Sequence, residues 1–156
     1  MGAIDLLRQQ HRDVEELFEQ LRTAERREKI SLLGRLAEDL TVHATLEEKY
    51  FYPTAEKNPE LAPKVRQARA EHDQVRRVIS EIMELKSRDP KIDTLIAQLE
   101  QTVRTHVEEE EREFFPRMEA DATALAMMGE QMQREQGELR NQELLKSNDQ
   151  EHLPQA

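Results

Sequence analysis

The sequence predicts an all-α fold, an up-down-up-down antiparallel four-helix bundle followed by an additional C-terminal helix. Charged residues make up 36% of the 156 residues and only four residues are glycine, a composition that suits long solvated helices better than sheets. Apolar residues recur at steps of three and four through four segments, so each segment has one face suited to burial. The breaks between these segments are short, which favours antiparallel neighbours.

The four bundle helices can be placed from their apolar faces and their breaks. The first runs from about Ile4 to Ala24, and the second begins near Ser31, a candidate N-cap. Pro53 is expected to kink or end the second helix, because proline lacks a backbone N–H. The third helix follows Pro63 and the fourth begins after Pro90. We therefore expect the bundle to occupy residues 1–120.

The rest of the chain is expected to form a C-terminal helical extension over residues 121–146. Gly129 and Gly137 weaken this helix, because glycine loses more backbone freedom than other residues when it becomes helical. Three arrangements stay open: packing on the bundle, pairing with a second copy in a homo-oligomer, or fraying. Residues 147–156 are expected to be a disordered tail that includes His152.

The composition excludes several classes of protein. A net charge of −10 argues against a nucleic-acid partner, which would need an excess of Lys and Arg. The absence of cysteine excludes disulfides, iron–sulfur clusters and thiolate metal sites. The chain has no apolar run long enough to cross a bilayer, and its first residues lack the apolar core of a signal peptide. We expect a cytoplasmic protein without a membrane partner.

The histidines and two glutamates form the most informative pattern in the chain. One histidine lies on the apolar face of each predicted bundle helix, and two of the four are followed by a glutamate in a His-x-x-x-Glu pair on the same face. A lone histidine on such a face is usually a core residue, so the prediction depends on the whole set. Buried imidazoles and carboxylates are costly unless paired or bound to metal, and the set therefore predicts a metal centre. The candidate ligands are His11, His43, Glu47, His72, His106 and Glu110.

These ligands are sufficient for two ions. We place His11 and His43 on one ion and His72 and His106 on the other, with Glu47 and Glu110 spanning both. Imidazole and carboxylate ligands without sulfur suit iron, with manganese and zinc as alternatives. Six-coordinate ions would keep open positions for an oxide or hydroxide bridge and for O2, peroxide or water.

The order of the ligands and their flanking residues extend this pattern. The chain reads His, His-x-x-x-Glu, His, His-x-x-x-Glu, with the words Leu6-Leu7-x-x-x-His11-Arg12-x-Val14 and Glu47-Glu48-x-x-Phe51-Tyr52-Pro53. Over about Ile4 to Met118 it resembles the hemerythrin-like, or HHE cation-binding, domain family. The resemblance implies an up-down-up-down bundle with a non-haem di-iron centre, bridged by the two glutamates and by an oxo or hydroxo group.

The sequence departs from the oxygen-carrying hemerythrins in one respect. Those proteins add a fifth histidine one turn from the third and end with an aspartate ligand. Here Ala68 and Arg76 flank His72 at that spacing, and the last carboxylate is Glu110. One ion should be more open or should take an extra oxygen ligand, for which the candidates are Tyr50, Glu48 and Glu109. The neighbouring carboxylates Glu71 and Glu111 are expected to face solvent.

Three functions fit this pattern. The first is a non-haem di-iron protein that binds, senses or reacts with a small diatomic or peroxide ligand (O2, nitric oxide or peroxide), with peroxide consumption as its activity if it is an enzyme. The second is an iron-binding or buffering protein without turnover. The third is a helical interaction module whose metal is only structural. No catalytic residue apart from the metal ligands is indicated.

Overall fold

The computed structural model describes residues 1–86 and 88–151, and the side chains within this part as far as residue 142. All of its regular structure is helical, as predicted. The α-helices are α1 (Ala3–Thr23), α2 (Arg26–Leu46), α3 (Tyr52–Ala55), α4 (Ala62–Glu84), α5 (Lys91–Glu109), α6 (Phe115–Met118) and α7 (Ala122–Glu151). Helix α1 packs on α2 and α4 packs on α5, while α7 lies against α1 and α2. The predicted four-helix bundle with an additional C-terminal helix is confirmed.

Two of the bundle helices contain a π-helical segment that the sequence analysis did not predict. Helix α2 continues through the π-helical residues Glu47–Phe51 into α3, and α5 continues through Glu110–Phe114 into α6. Pro53 and Pro116 each lie two residues after the last residue of one of these segments. A proline ring clashes with the carbonyl four residues earlier, and in both cases that carbonyl lies in the π-helical segment. The helix thus widens and continues, whereas Pro53 was expected to kink or end it.

Two other helix bounds differ from the predicted ones. Helix α2 begins at Arg26, and Ser31 lies inside it, because the residues from Arg26 to Ile30 are compatible with a helix and contain no break. Helix α7 ends at Glu151, whereas its predicted end was residue 146, since neither proline nor glycine interrupts the intervening stretch. Residues 152–156, with His152, lie outside the described residues. Among the described helices, none is both long and apolar enough to cross a membrane.

The core of the bundle consists of two apolar clusters. The first surrounds four fully buried aromatic side chains, Phe51, Tyr52, Phe114 and Phe115. The second is built mainly from leucine and valine, including Val14, Leu36, Leu40, Leu99 and Val103. Along each bundle helix the candidate histidine lies between residues of the two clusters. The polar side chains therefore form a layer across the middle of the core.

Helix α7 is anchored to the bundle by apolar contacts and by ion pairs. Met128 and Met132 are buried in the first cluster. Glu135 accepts hydrogen bonds from Lys49, at 2.5 Å, and from the Tyr50 hydroxyl. Arg140 lies 2.9 Å from Asp39 on α2. Packing on the bundle, one of the three arrangements left open, is observed for this helix as far as Arg140. Self-association through the helix stays a prediction.

The close approach of α7 to the start of α1 requires Gly129, and this requirement can be tested. A Cβ atom at Gly129 would lie 2.3 Å from the carbonyl oxygen of Met1, whereas one at Gly137 would meet nothing within 4 Å. We expect Gly129→Ala to destabilise the protein by about 1–3 kcal/mol through overpacking. The matched control Gly137→Ala should stabilise it by about 0.5–1 kcal/mol, because alanine favours the helix. Urea unfolding followed by circular dichroism measures both, and equal effects at the two positions would contradict the observed packing.

Candidate metal centre

The structure brings all six predicted ligands together in the polar layer. Each histidine comes from a different helix, α1, α2, α4 or α5, and all four are buried. Glu47 and Glu110 are the first residues of the two π-helical segments, and they are 0% and 1% exposed. Buried carboxylates carry a large desolvation penalty, so this layer needs a compensating positive charge.

His11, His43, Glu47 and Glu110 form the first group of donors, whose ligand atoms lie within 4.8 Å of one another. Nε2 of His11 lies 3.1 Å from Oε1 of Glu110. Nε2 of His43 lies 2.9 Å from Oε1 of Glu47 and 3.9 Å from Oε1 of Glu110. Two imidazole nitrogens and two carboxylates thus surround one point in the core.

Glu47, His72 and His106 form the second group. Nε2 of His72 lies 3.1 Å from Oε1 of Glu47. The second oxygen of Glu110, Oε2, lies 3.3 Å from Nε2 of His106. Both glutamates therefore reach both pairs of histidines, and the positions agree with the arrangement expected for two bridged ions.

A tyrosine that was not among the predicted ligands completes the second group. The hydroxyl of Tyr52 donates a hydrogen bond to Oε2 of Glu110 at 2.8 Å. The hydroxyl oxygen of Tyr52 also lies 3.2 Å from Nε2 of His72 and 3.2 Å from Nε2 of His106. The residue is fully buried, so its oxygen faces the site and not the solvent. An extra oxygen donor was expected from Tyr50, Glu48 or Glu109, whereas it is the oxygen of Tyr52 that the structure places beside both histidines of the second group.

The π-helical segment explains why Tyr52 was missed. The backbone N–H of Tyr52 bonds to the carbonyl of Glu47, five residues earlier, as in a π-helix. In a regular α-helix the residue after Glu47 on the same face would be Phe51, four residues on. The signal that could have identified Tyr52 is Pro53, which disfavours a regular helix over the preceding turn.

Each histidine is oriented by a side chain that contacts its other ring nitrogen, Nδ1. Glu48 lies 2.9 Å from Nδ1 of His72, and Glu111 lies 3.1 Å from Nδ1 of His11. Because a carboxylate accepts a hydrogen bond from Nδ1–H, the lone pair of the neutral ring is on Nε2, the atom that faces the site. Such partners fix both the tautomer and the ring orientation of a metal-binding histidine.

The other two histidines also have a side-chain oxygen near Nδ1, although the one beside His106 does not form a hydrogen bond. The side-chain oxygen of Gln10 accepts a hydrogen bond from Nδ1 of His43 at 2.7 Å, and a carboxylate oxygen of Glu71 lies 3.5 Å from Nδ1 of His106. Gln10 and Glu71 each immediately precede one of the two solitary histidines. The partners of the ligands are therefore repeated in the two halves of the chain, as the ligands are.

Several expectations for individual residues are corrected by these contacts. Glu111 is exposed, as expected, but it also lies beside His11, whereas Glu71 is half-buried beside His106. Tyr50 does not reach the site, because its hydroxyl bonds to Glu135 of α7. Glu109 binds Lys64 at 3.2 Å, so only Glu48 of the two candidate glutamates contacts a ligand. Helix rotation, which the sequence pattern does not define to within one residue, decides these outcomes.

The polar atoms of the layer are better placed to bind a cation than to form hydrogen bonds with one another. Nε2 of His43 and Oε2 of Glu47 are buried and have no hydrogen-bond partner, although both belong to the site. Nε2 of His72 and Nε2 of His106 face each other at 3.1 Å, so two neutral rings would bring their lone pairs together. A cation bound between such atoms satisfies the lone pairs that no protein donor reaches.

The pKa shifts show how the charges balance when no cation is present. Burial disfavours protonation of His11, but the carboxylates of Glu110 and Glu111 outweigh it and raise the pKa of His11 to about 9. Burial also opposes ionisation of Glu47, but His43 and the other polar neighbours hold its pKa well below the usual value. Burial and the charges of Glu110 and Glu47 raise the pKa of Tyr52 well above 10. A proton on His11 thus balances part of the carboxylate charge, and a bound cation would take its place.

A small cavity of about 30 Å³ adjoins the site, and all four candidate histidines line it. The rest of its wall is mainly aliphatic, including Val14, Leu40, Val75, Ile79, Val103 and Val107. One water needs about 10–15 Å³ of such space, so the cavity has room for about two water-sized atoms. This space can accommodate a molecule of the size of a diatomic ligand or a peroxide.

Comparisons with known proteins agree with this geometry. A family model described as the hemerythrin HHE cation-binding domain matches residues 2–118. The fold is similar to that of a hemerythrin HHE cation-binding domain-containing protein from Mycobacterium kansasii, with a TM-score of 0.82 and 23% sequence identity. That alignment covers 94% of this chain and 91% of the other. No curated protein matches the sequence.

The position of Tyr52 predicts a specific spectroscopic result. A phenol becomes a phenolate when it binds a metal ion, because the ion's charge lowers its pKa. When the protein is loaded with ferric iron, we expect a visible phenolate-to-iron absorption band that is lost in Tyr52→Phe and retained in Tyr50→Phe. Iron content should be similar in all three proteins. A band that survives in Tyr52→Phe would show that this phenol is not a ligand.

The histidine partners predict a graded loss of metal affinity. Glu111→Gln leaves His11 without its charged Nδ1 partner, and we expect metal affinity to fall about 10–100-fold. Glu109→Gln is the matched control, since Glu109 is on the same helical run but bonds to Lys64. Competition with a chelator of known affinity measures both variants. Equal affinities would contradict the orienting role of Glu111.

Proposed function

Since the chain belongs to the hemerythrin family of HHE cation-binding domains, we propose that it is a non-haem di-iron protein that binds and reacts with nitric oxide, peroxide or O2. One observation carries the proposal. Four imidazoles that converge on two buried carboxylates also line a cavity of about 30 Å³, which has space for a diatomic molecule or a peroxide. A site that only stored or buffered iron would need no such space beside its ligands.

The residues that would hold the ions follow from the two groups of donors. His11 and His43 would bind one ion and His72, His106 and Tyr52 the other, with Glu47 and Glu110 shared. Nitrogen and oxygen donors without sulfur suit iron, and the chain has no cysteine that would favour a softer metal. Bound iron supplies open coordination positions and changes of oxidation state, which the side chains of the site do not.

The oxygen donors favour peroxide or nitric oxide chemistry over the reversible transport of O2. Glu47, Glu110 and a phenolate at Tyr52 would place three negative charges around two ions. Anionic donors in a region of low dielectric constant stabilise the higher charge of ferric iron relative to ferrous iron. Reversible O2 transport requires a readily regenerated ferrous state, so this donor set supports reaction with the ligand.

The surrounding side chains protect the site and define its volume. Phe51, Phe114 and Phe115 are fully buried in the first apolar cluster and exclude water on that side. The wall of the cavity is mainly aliphatic, and its polar residues other than the histidines are Gln10, Thr41 and Arg76. An uncharged small ligand is therefore favoured over a hydrated ion.

The proposal is tested by loading the metal-free protein with ferrous iron without oxygen and measuring iron by elemental analysis. We expect two iron ions per chain, a change of the visible spectrum on addition of nitric oxide, and release of O2 when peroxide is added to the ferric form. Glu110→Ala removes a donor from both groups and should lose most of the iron, whereas Glu109→Ala should retain it.

The outcomes of this test are distinct. A protein that binds no iron would contradict the proposal as a whole. A protein that holds two ions but responds neither to nitric oxide nor to peroxide would instead be an iron-binding or buffering protein.

A further inference from the structure

A groove on the surface lies directly outside the cavity of the site. It has a volume of about 200 Å³ and runs between α1 and α5. Four residues line both spaces, namely His11, Val14, Val103 and Val107. The groove and the cavity therefore adjoin, and three of the four side chains at their boundary are valines.

This position in the bundle favours an opening. Helices α1 and α5 begin and end the bundle, no loop connects them, and they pack less closely than α1 with α2 or α4 with α5. Val103 is buried, whereas Val107, one turn later, is half-buried at the boundary between cavity and groove. Valine is short, so a change of its rotamer or a small separation of the helices would connect the two spaces.

The opposite side of the cavity, between α2 and α4, is held by polar contacts. Thr41 and Arg76 line the cavity there. Arg76 donates a hydrogen bond to Glu48 at 2.5 Å and another to Asp73 at 3.2 Å. Because Glu48 also orients His72, movement of Arg76 would disturb the site itself. This side is a less favourable entrance than the valine layer.

The lining of the groove is acidic. It includes Glu15, Glu100, Glu108 and Glu111, with Arg104 as its cationic residue. Arg104 lies 3.0 Å from Glu100, so these two charges compensate each other. The remaining carboxylates give the mouth a negative potential, which lowers the local concentration of anions and leaves neutral molecules unaffected.

From these observations we propose that small uncharged ligands reach the centre through the α1–α5 groove, that Val107 limits their rate of entry, and that the acidic lining excludes anions. The inference rests on the proposed function, because it concerns the ligand of the same site. It adds a specificity-determining route and names the residue that controls it.

The route can be tested with nitric oxide as the probe, using stopped-flow absorbance of the iron-loaded protein. We expect Val107→Ala to raise the association and dissociation rates several-fold and Val107→Phe to lower both. Because a residue that limits entry acts on both rates, Kd should change much less than either rate. Ile96→Ala is the matched control, since Ile96 is a half-buried aliphatic residue of the same helix that lines neither the cavity nor the groove. Equal rates in Val107→Ala, Val107→Phe and wild type, or an equal increase in Ile96→Ala, would overturn the proposed route.

Charge selection is tested with azide, an anion that binds ferric iron. Its association rate should rise with ionic strength, because salt screens the acidic lining, while the rate for nitric oxide should not change. Glu108→Gln should raise the azide rate, and Glu81→Gln, on α4 outside the groove, should not. Equal effects of Glu108→Gln and Glu81→Gln would contradict a local role for the groove.

A measurement on the metal-free protein separates this inference from the proposed function. Dissolved O2 is paramagnetic and enhances the relaxation of methyl groups that it approaches, which nuclear magnetic resonance detects residue by residue. The methyl groups of Leu40 and Val75, which line the cavity but not the groove, should respond in wild type and respond less in Val107→Phe. That result, combined with no reaction of the iron-loaded protein, would refute the proposed function but retain the route. Reaction with nitric oxide, together with no effect of Val107→Phe in either measurement, would support the proposed function and refute the route.

Discussion

The structure depends on the burial of two carboxylates, Glu47 and Glu110, in the middle of a helical bundle. Each is almost completely removed from water, and an isolated buried carboxylate would be strongly destabilising. The four imidazoles around them supply positive charge when they are protonated, or act as further donors when a cation is bound. The polar layer divides the apolar core in two, so the helices must be held together by apolar clusters on both sides of it. The fold therefore favours apolar side chains at this level of the bundle, whereas the site requires polar side chains there.

The site has an approximate internal two-fold symmetry that includes the partners of the ligands. In each half, the residue before the solitary histidine and the residue after the shared glutamate contact Nδ1 of a histidine. The symmetry is broken where the first half has Tyr52 and the second has Phe115 at the equivalent position, five residues after the glutamate. Phe115 stacks on His11 at a ring distance of 5.9 Å, whereas Tyr52 directs an oxygen at His72 and His106. Two ions bound here would therefore have different environments, one with an additional anionic donor.

The helical fold and the six converging ligands could be predicted from the sequence, because both depend only on the repeat of the α-helix. Residues three and four apart lie on the same face of a helix, so the histidines on the apolar face are predicted to be buried with its apolar residues. Tyr52 could not be found in this way, since the π-helical turn brings the fifth residue and not the fourth onto that face. The contacts of Glu71 and Glu111 with histidines were not predicted, because periodicity defines the direction of a side chain only to within about one residue. Their contacts depend on how α1 and α5 are rotated relative to their neighbours, which is a property of the packed bundle.

The π-helical segments connect these observations. A π-helical turn is less favourable than an α-helical one, and such turns occur frequently at functional sites. Here each begins at a shared glutamate and lies immediately before a buried aromatic residue and a proline. The proline prevents the regular helix from re-forming over that turn, and the widened turn brings Tyr52 onto the same face as Glu47. The π-helical turn of the backbone thus determines which donor atoms face the site. Binding of a cation contributes to the free energy of folding, so it would stabilise both the turn and the arrangement of donors.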